Sequence, residues 1–187
     1  MQRFFDILFS IIALVVFSPF LIPVSIILKL SGEGEIFYIQ QRVGKDGKMF
    51  GLLKFATMLK DSANIGTGTI TVKNDPRVLP IGKFLRKSKI NELPQLLNIL
   101  LGDMSVIGPR PQAERCFLAF PKIAQDAIIQ VKPGLSGIGS IVFRDEENIL
   151  DNPEKYSLKR KAIPYSMWLV VFISFFILNF LFIEYDY

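Results

Sequence analysis

The stretch that decides the fold is Ile7–Leu28, ILFSIIALVVFSPFLIPVSIIL, which carries no charge between Asp6 and Lys29. As a straight helix at ~1.5 Å per residue it reaches ~33 Å, about the hydrocarbon thickness of a bilayer. Ser18-Pro19 and Pro23 interrupt it. Pro19 has no amide hydrogen and its ring crowds the preceding turn, so the helix is expected to kink or break near its middle. Ser18 can bond the backbone groups this frees, where no water is at hand. The residues alone leave three readings open: a single span, a re-entrant segment that enters and leaves by one face, and a signal peptide. The last is weakened by an n-region of only Met1–Arg3 and by the lack of an A-x-A-like site.

The other end poses a similar question. Tyr165–Ile183, YSMWLVVFISFFILNFLFI, is uncharged and predicts an apolar C-terminal helix. Tyr165 and Trp168 at one end, and Tyr185 and Tyr187 at the other, resemble interfacial belts. Between the ends lies a more polar middle. The expected division is a membrane segment at 1–30, a compact domain at 31–150 and a membrane-associated segment at 151–187. The chain has 187 residues, half of them hydrophobic, and a net charge of +5. It has no His and one Cys, which excludes Ser-His-Asp chemistry, His metal ligands and an intramolecular disulfide. Carboxylates, amides, Arg, Lys and hard cations remain. The positive balance favours anionic partners.

In the middle, Glu35–Gln41 and Lys48–Phe55 predict a small β-hairpin about the turn Gly44–Gly47. Ile81–Lys89 has helical spacing. In Asn91-Glu-Leu-Pro-Gln-Leu-Leu-Asn-Ile-Leu-Leu101, Leu93, Leu96, Leu97, Leu100 and Leu101 follow a helical period, and Pro94 suits a first turn. Asn91 and Glu92 are therefore expected at a helix N-terminus, where free N–H groups can hold phosphate. Glu in a first turn is also ordinary dipole compensation. Pro109 and Pro111 stiffen the backbone on either side of Arg110, which suits a phosphate fork. Lys132-Pro-Gly-Leu-Ser-Gly137 is a second stiff turn with a cation. Arg144–Glu147 reads as a solvated charge run.

Taken in order, these elements resemble the bacterial sugar transferase family, the monotopic phosphoglycosyl transferases. The matches cover roughly residues 1–145. They are the apolar segment broken at Ser18-Pro19, Gln41-Arg42-x-Gly44 with Gly47-Lys48-x-Phe50, and Lys54-Phe55-x-Thr57-Met58. Asp75-Pro76-Arg77, Gly82-Lys83-Phe84-Leu85-Arg86 and Glu92-Leu93-Pro94-Gln95 with Asn98 follow. Gly102-Asp103-Met104-Ser105-x-x-Gly108-Pro109-Arg110-Pro111 and Lys132-Pro133-Gly134-x-x-Gly137 close the series.

The resemblance implies an α-dominated α+β fold with a re-entrant N-terminal membrane helix and amphipathic interfacial helices. It implies transfer of a phosphosugar from a UDP-sugar to polyprenyl (undecaprenyl) phosphate, with release of UMP, at the start of surface glycoconjugate assembly. It implies Mg2+, the lipid bilayer as a partner, and a catalytic domain on the cytoplasmic face of the bacterial inner membrane. Nucleic acid is not expected as a partner, and a homo-oligomer is left open. In the family an Asp-Glu pair stands where this chain has Asn91-Glu92. There the Asp attacks the sugar-bearing phosphorus, and the Asn91-Glu92 position is that of catalysis and metal binding. Such a reaction moves dense negative charge, and Lys54, Arg77, Arg86, Arg110 and Lys132 are the cations available for it. An amide is a very poor nucleophile, so Asn91 leaves four routes open. They are a nucleophile removed by engineering, attack by Glu92, direct attack by the lipid phosphate, or ligand binding without catalysis.

Overall fold

A computed structural model describes residues 1–31, 33–65 and 75–137. The expected C-terminal helix at Tyr165–Ile183, the charge run at 144–147 and the boundary at 150 lie outside these residues. The chain divides into two compact units. The first is Met1–Gln40 with Gly51–Leu101; the second is Gln41–Phe50 with the described residues from Gly102 on.

Helix α1, Gln2–Leu30, is long and apolar enough to cross a membrane. It runs unbroken through Pro19 and Pro23. The carbonyl that Pro19 cannot bond is that of Val15, four residues back, and the Ser18 hydroxyl donates to it at 2.8 Å. The interruption expected at Ser18-Pro19 is thus absorbed by a side-chain hydrogen bond without ending the helix. The sequence set residues 1–30 apart, whereas α1 packs within the first unit. Arg3, Asp6 and Ser10 repeat at the spacing of Leu21, Val24 and Leu28, eighteen residues or five turns further on, so the two sets share a face. Asp6, Ser10 and Leu28 are buried. Leu21, Val24 and Leu28 pack with Phe55, Leu85, Ile36, Ile81 and Ile90. The Arg3 guanidinium donates to the Ile99 and Leu100 carbonyls, the latter at 2.6 Å.

The hairpin forms two residues later than its expected start, with β1 at Phe37–Val43 and β2 at Met49–Phe55. A 3-10 turn, Lys45–Gly47, joins the strands. Helix α2 is Pro80–Lys87, with Pro80 in the first turn where its missing N–H costs nothing.

Helix α3 is Gln95–Leu101, seven residues, shorter than the leucine period suggested. Its inward residues are Gln95, Leu96, Asn98 and Ile99, while Leu97 is 39% and Leu101 78% exposed. The leucine stripe is therefore only partly buried: Leu96 lies inward, while Leu97 and Leu101 do not. The buried amide of Asn98 bonds β2 instead, accepting from Leu53 N and donating to Gly51 O, both at 2.9 Å.

In the second unit β3, Ser105–Ile107, precedes α4, Glu114–Leu118, and α5, Lys122–Ile128; β4 is Gly134–Ser136. Strands β3 and β4 pair in parallel, Ser105 opposite Gly134 and Ile107 opposite Ser136. The sequence read Lys132–Gly137 as a turn and assigned no strand at Ser105–Ile107.

Candidate functional site

Asn91 and Glu92 sit in a 3-10 turn, Ile90–Glu92, and α3 begins only at Gln95. The expected helix N-terminus is thus displaced by one turn. Lys89 enters the turn with φ 62, the left-handed region that costs a side-chain-bearing residue ~1–2 kcal/mol. This reversal carries the chain from α2 into the turn. The turn is closed by Glu92 N to Lys89 O and Leu93 N to Ile90 O, each at 3.1 Å. Asn91 is 9% exposed, and its Oδ1 is buried without a hydrogen-bond partner among the described residues. A buried acceptor left unbonded costs ~1–3 kcal/mol. An oxygen held this way suits a cation or a ligand donor. Glu92 beside it is half-buried.

The three cations expected in this unit have different employments. The Lys54 ammonium, on β2, donates to Gln40 Oε1 at 3.4 Å. Arg86, in the last turn of α2, donates to Met58 Sδ at 3.5 Å. Arg77, one of the cations that the sequence offered for phosphate, is bonded within the protein. It is 3% exposed, with Nε 2.8 Å from Asp75 Oδ1 and Nη2 2.5 Å from Asp75 Oδ2. Its Nη1 donates to the carbonyls of Ser62 at 2.6 Å and Ile65 at 2.7 Å. The hydrogen bond that Arg77 donates to Asp75 raises the Arg77 pKa above its ordinary value, against an opposing effect of burial. Arg77 is an internal clamp.

The second unit brings together the other two expected motifs. Gly108 N donates to Ser136 O at 3.0 Å, and Gly134 N donates to Pro109 O at 2.8 Å. A Cβ on Gly134 would meet Gly108 N at 2.1 Å, and one on Gly108 would meet Lys132 O at 2.5 Å. Only residues without side chains let these two backbones interlock. Pro109, Arg110 and Pro111 therefore leave one rim of a joint whose other rim begins at Lys132. The hairpin tip supports this rim: Arg42 Nη1 donates to Pro111 O at 3.4 Å, and Val43 N to Gln112 O at 2.9 Å. Pro111 is buried and Lys132 half-buried, while Arg110 is exposed. Its guanidinium has no hydrogen-bond partner among the described residues.

Sequence reasoning assigned no role to Asp75, Arg3 or Asn98. Asn98 left a legible signal, a polar residue within an otherwise leucine-rich helix. Asp75 left a weaker one, a carboxylate two residues before an Arg across a proline.

The sequence model described as Bacterial sugar transferase matches residues 1–178, and the chain belongs to that family. One relative is the UDP-N-acetylgalactosamine-undecaprenyl-phosphate N-acetylgalactosaminephosphotransferase of Aeromonas hydrophila. It is 35% identical over 181 residues, covering 93% of this chain and 42% of the relative. The exopolysaccharide production protein PSS of Rhizobium leguminosarum bv. phaseoli is 46% identical over 113 residues, 60% of this chain and 56% of that protein. The UDP-glucose:undecaprenyl-phosphate glucose-1-phosphate transferase of Escherichia coli K12 is 36% identical over 158 residues, 83% of this chain and 34% of that protein. The chain spans about half or less of the length of these relatives.

The resemblance read from the sequence implies Mg2+ at the Asn91-Glu92 position. Among the described residues no group of three or more His, Cys, Asp or Glu stands together as a cage. Mg2+ typically takes one or two carboxylates and completes its shell with water and substrate phosphates. The Glu92 carboxylate and the unbonded Asn91 Oδ1 are hard oxygen donors of that kind. Chemically, these two oxygens are compatible with Mg2+.

Proposed function

We propose that this chain transfers a phosphosugar from a UDP-sugar to polyprenyl phosphate, releasing UMP, at the cytoplasmic face of a bacterial inner membrane. The observation that carries the reading is the match of nearly the whole chain to a phosphosugar transferase acting on undecaprenyl phosphate. The residues support it chemically. Arg110 and Lys132 stand on stiff turns that suit a diphosphate, and Lys54 and Arg86 add positive charge to the unit that holds Glu92. Mg2+ held by Glu92 and the Asn91 amide oxygen would screen the negative charge that builds on the phosphoryl group. With an amide at 91, the balanced route is a single displacement. A lipid phosphate oxygen forms the new bond to the sugar-bearing phosphorus, the bond to the UMP oxygen breaks, and UMP leaves.

Asn91 favours a second reading, in which the chain binds nucleotide sugar or lipid phosphate without transferring anything. One assay separates the two: UMP release from UDP-sugars, with and without polyprenyl phosphate, for the chain as given and for Asn91→Asp. The displacement route predicts product from the Asn91 form, dependence on both substrates, and no adduct by intact mass. The family's covalent route predicts that Asn91→Asp raises turnover by ~100-fold or more and releases one UMP per site without lipid. Donor binding with no product in either form establishes the second reading.

The proposal extends to topology: α1 re-enters the membrane rather than crossing it. Its support is that both ends of α1 are tied to the same unit, Arg3 to α3 and Leu28 to Phe55 and Leu85. After replacing Cys116, cysteines at Gln2 and Lys60 should label from the same face; labelling from opposite faces refutes re-entry. Leu at positions 19 and 23 should favour a straight span.

A further inference from the structure

We infer that Asn98 is a positioning residue for the reaction proposed above, setting the register between the strand that bears Lys54 and the turn that bears Asn91 and Glu92. The inference rests on that functional reading. Asn98 is buried on α3, and its single amide bonds two groups on the outer edge of β2. It accepts from Leu53 N and donates to Gly51 O, both at 2.9 Å. Residues 51 and 53 point their backbone groups the same way along a strand, so the amide takes the place a neighbouring strand would hold. Lys54 follows Leu53 directly, and the Asn91-Glu92 turn ends just before α3 begins. The far end of α3 is held by Arg3 at the Ile99 and Leu100 carbonyls. Helix α3 is therefore fixed in the middle and at its C-terminal end, and its other end leads from the turn.

A leucine at 98 would continue the apolar character of this helix, but it would carry no direction. A buried amide is costly unless both of its polar atoms are bonded, as here they are. What it adds is a fixed distance between two backbone segments. Phosphoryl transfer is sensitive to such placement, since an error near 1 Å can cost ~100-fold in rate.

The test is Asn98→Asp and Asn98→Leu, each read in the present chain and in Asn91→Asp. A protonated carboxyl at 98 donates to Gly51 O and accepts from Leu53 N–H, as the amide does. Ionised, it sets a negative oxygen against the Gly51 carbonyl. Burial raises its pKa toward the assay range. For Asn98→Asp we expect kcat to fall by ~30-fold at pH 8 and to recover by ~10-fold toward pH 5.5, relative to the parent at each pH. The KM for UDP-sugar should stay within ~3-fold of the parent, because the change acts on alignment rather than on donor binding. Asn98→Leu should stay low at every pH. Rates within ~2-fold of the parent for both variants across the range overturn the inference and leave the proposed function standing. If neither parent makes product, the proposed function fails, and amide exchange decides the positioning claim. Exchange at Leu53 should quicken by ~10-fold in Asn98→Leu, and an unchanged Leu53 overturns it.

Discussion

Two arginines that look alike in the sequence end in opposite conditions. Arg77 follows Asp75-Pro76 and Arg110 follows Gly108-Pro109; each stands just after a proline in a turn. Arg77 lies inside the first unit, with its fork spent on Asp75 and on the carbonyls of Ser62 and Ile65. Arg110 lies on the surface of the second unit, carried by a rim that interlocked glycines hold in place. The difference is the residue two positions earlier. A carboxylate there captures the guanidinium, while a glycine there lets another backbone come close, and the Arg110 guanidinium has no partner among the described residues. A guanidinium behind a proline is thus no phosphate site until its nearest carboxylate has been accounted for.

The comparison breaks most visibly if Arg77 proves dispensable. Arg77→Ala leaves the buried Asp75 carboxylate without its partner, and we expect the thermal midpoint in detergent to fall by ~10 °C or more. Replacing both partners together, Asp75→Leu with Arg77→Met, should recover much of that loss, because no buried charge is then stranded. A single variant that melts with the parent would remove Arg77 from the structural side of the contrast.

Arg110→Lys should do the reverse. The midpoint should hold, while the dissociation constant for UDP-sugar rises by roughly 5- to 150-fold, since an ammonium cannot reproduce a two-pronged contact with phosphate. Titration calorimetry on the detergent-solubilised chain measures this directly. An unchanged constant would take Arg110 out of the donor site.

The smallest effect is expected at Lys60, whose ammonium lies 3.0 Å from Glu35 with both side chains exposed. Its hydrogen bond to Glu35 raises the Lys60 pKa above the ordinary lysine value. Any stability this pair contributes is therefore complete below the unfolded value and is lost as pH rises through the raised one. Between pH 6 and 9 it should not vary. Lys60→Gln should shift the midpoint by no more than ~2 °C, less still in high salt. A loss as large as that for Arg77→Ala would mean that burial is not what makes the Arg77–Asp75 pair the stronger of the two ion pairs.

Much of the architecture is written in local sequence. The uncharged run Ile7–Leu28 specifies a long apolar helix because nothing in it can be left in water cheaply. The alternating segments about Gly44–Gly47 specify the hairpin, and Pro80 and Ile81–Lys87 specify α2. The order of short motifs from Ser18-Pro19 to Gly137 is enough to reveal the family. What period and propensity leave open is which face of an element turns inward. The leucines of Leu93–Leu101 form a regular stripe, yet Leu97 and Leu101 face outward, while Gln95 and Asn98 are buried. The reason is that Asn98 finds bonding partners on β2 forty-five or more residues away, and a helical period carries no record of them. The fate of Arg77 was settled in part locally, by Asp75 two residues before it, and in part by the Ser62 and Ile65 carbonyls, which only the tertiary fold brings within hydrogen-bond reach. A sequence states which groups can bond; burial and distance, which belong to the folded chain, determine which of them do.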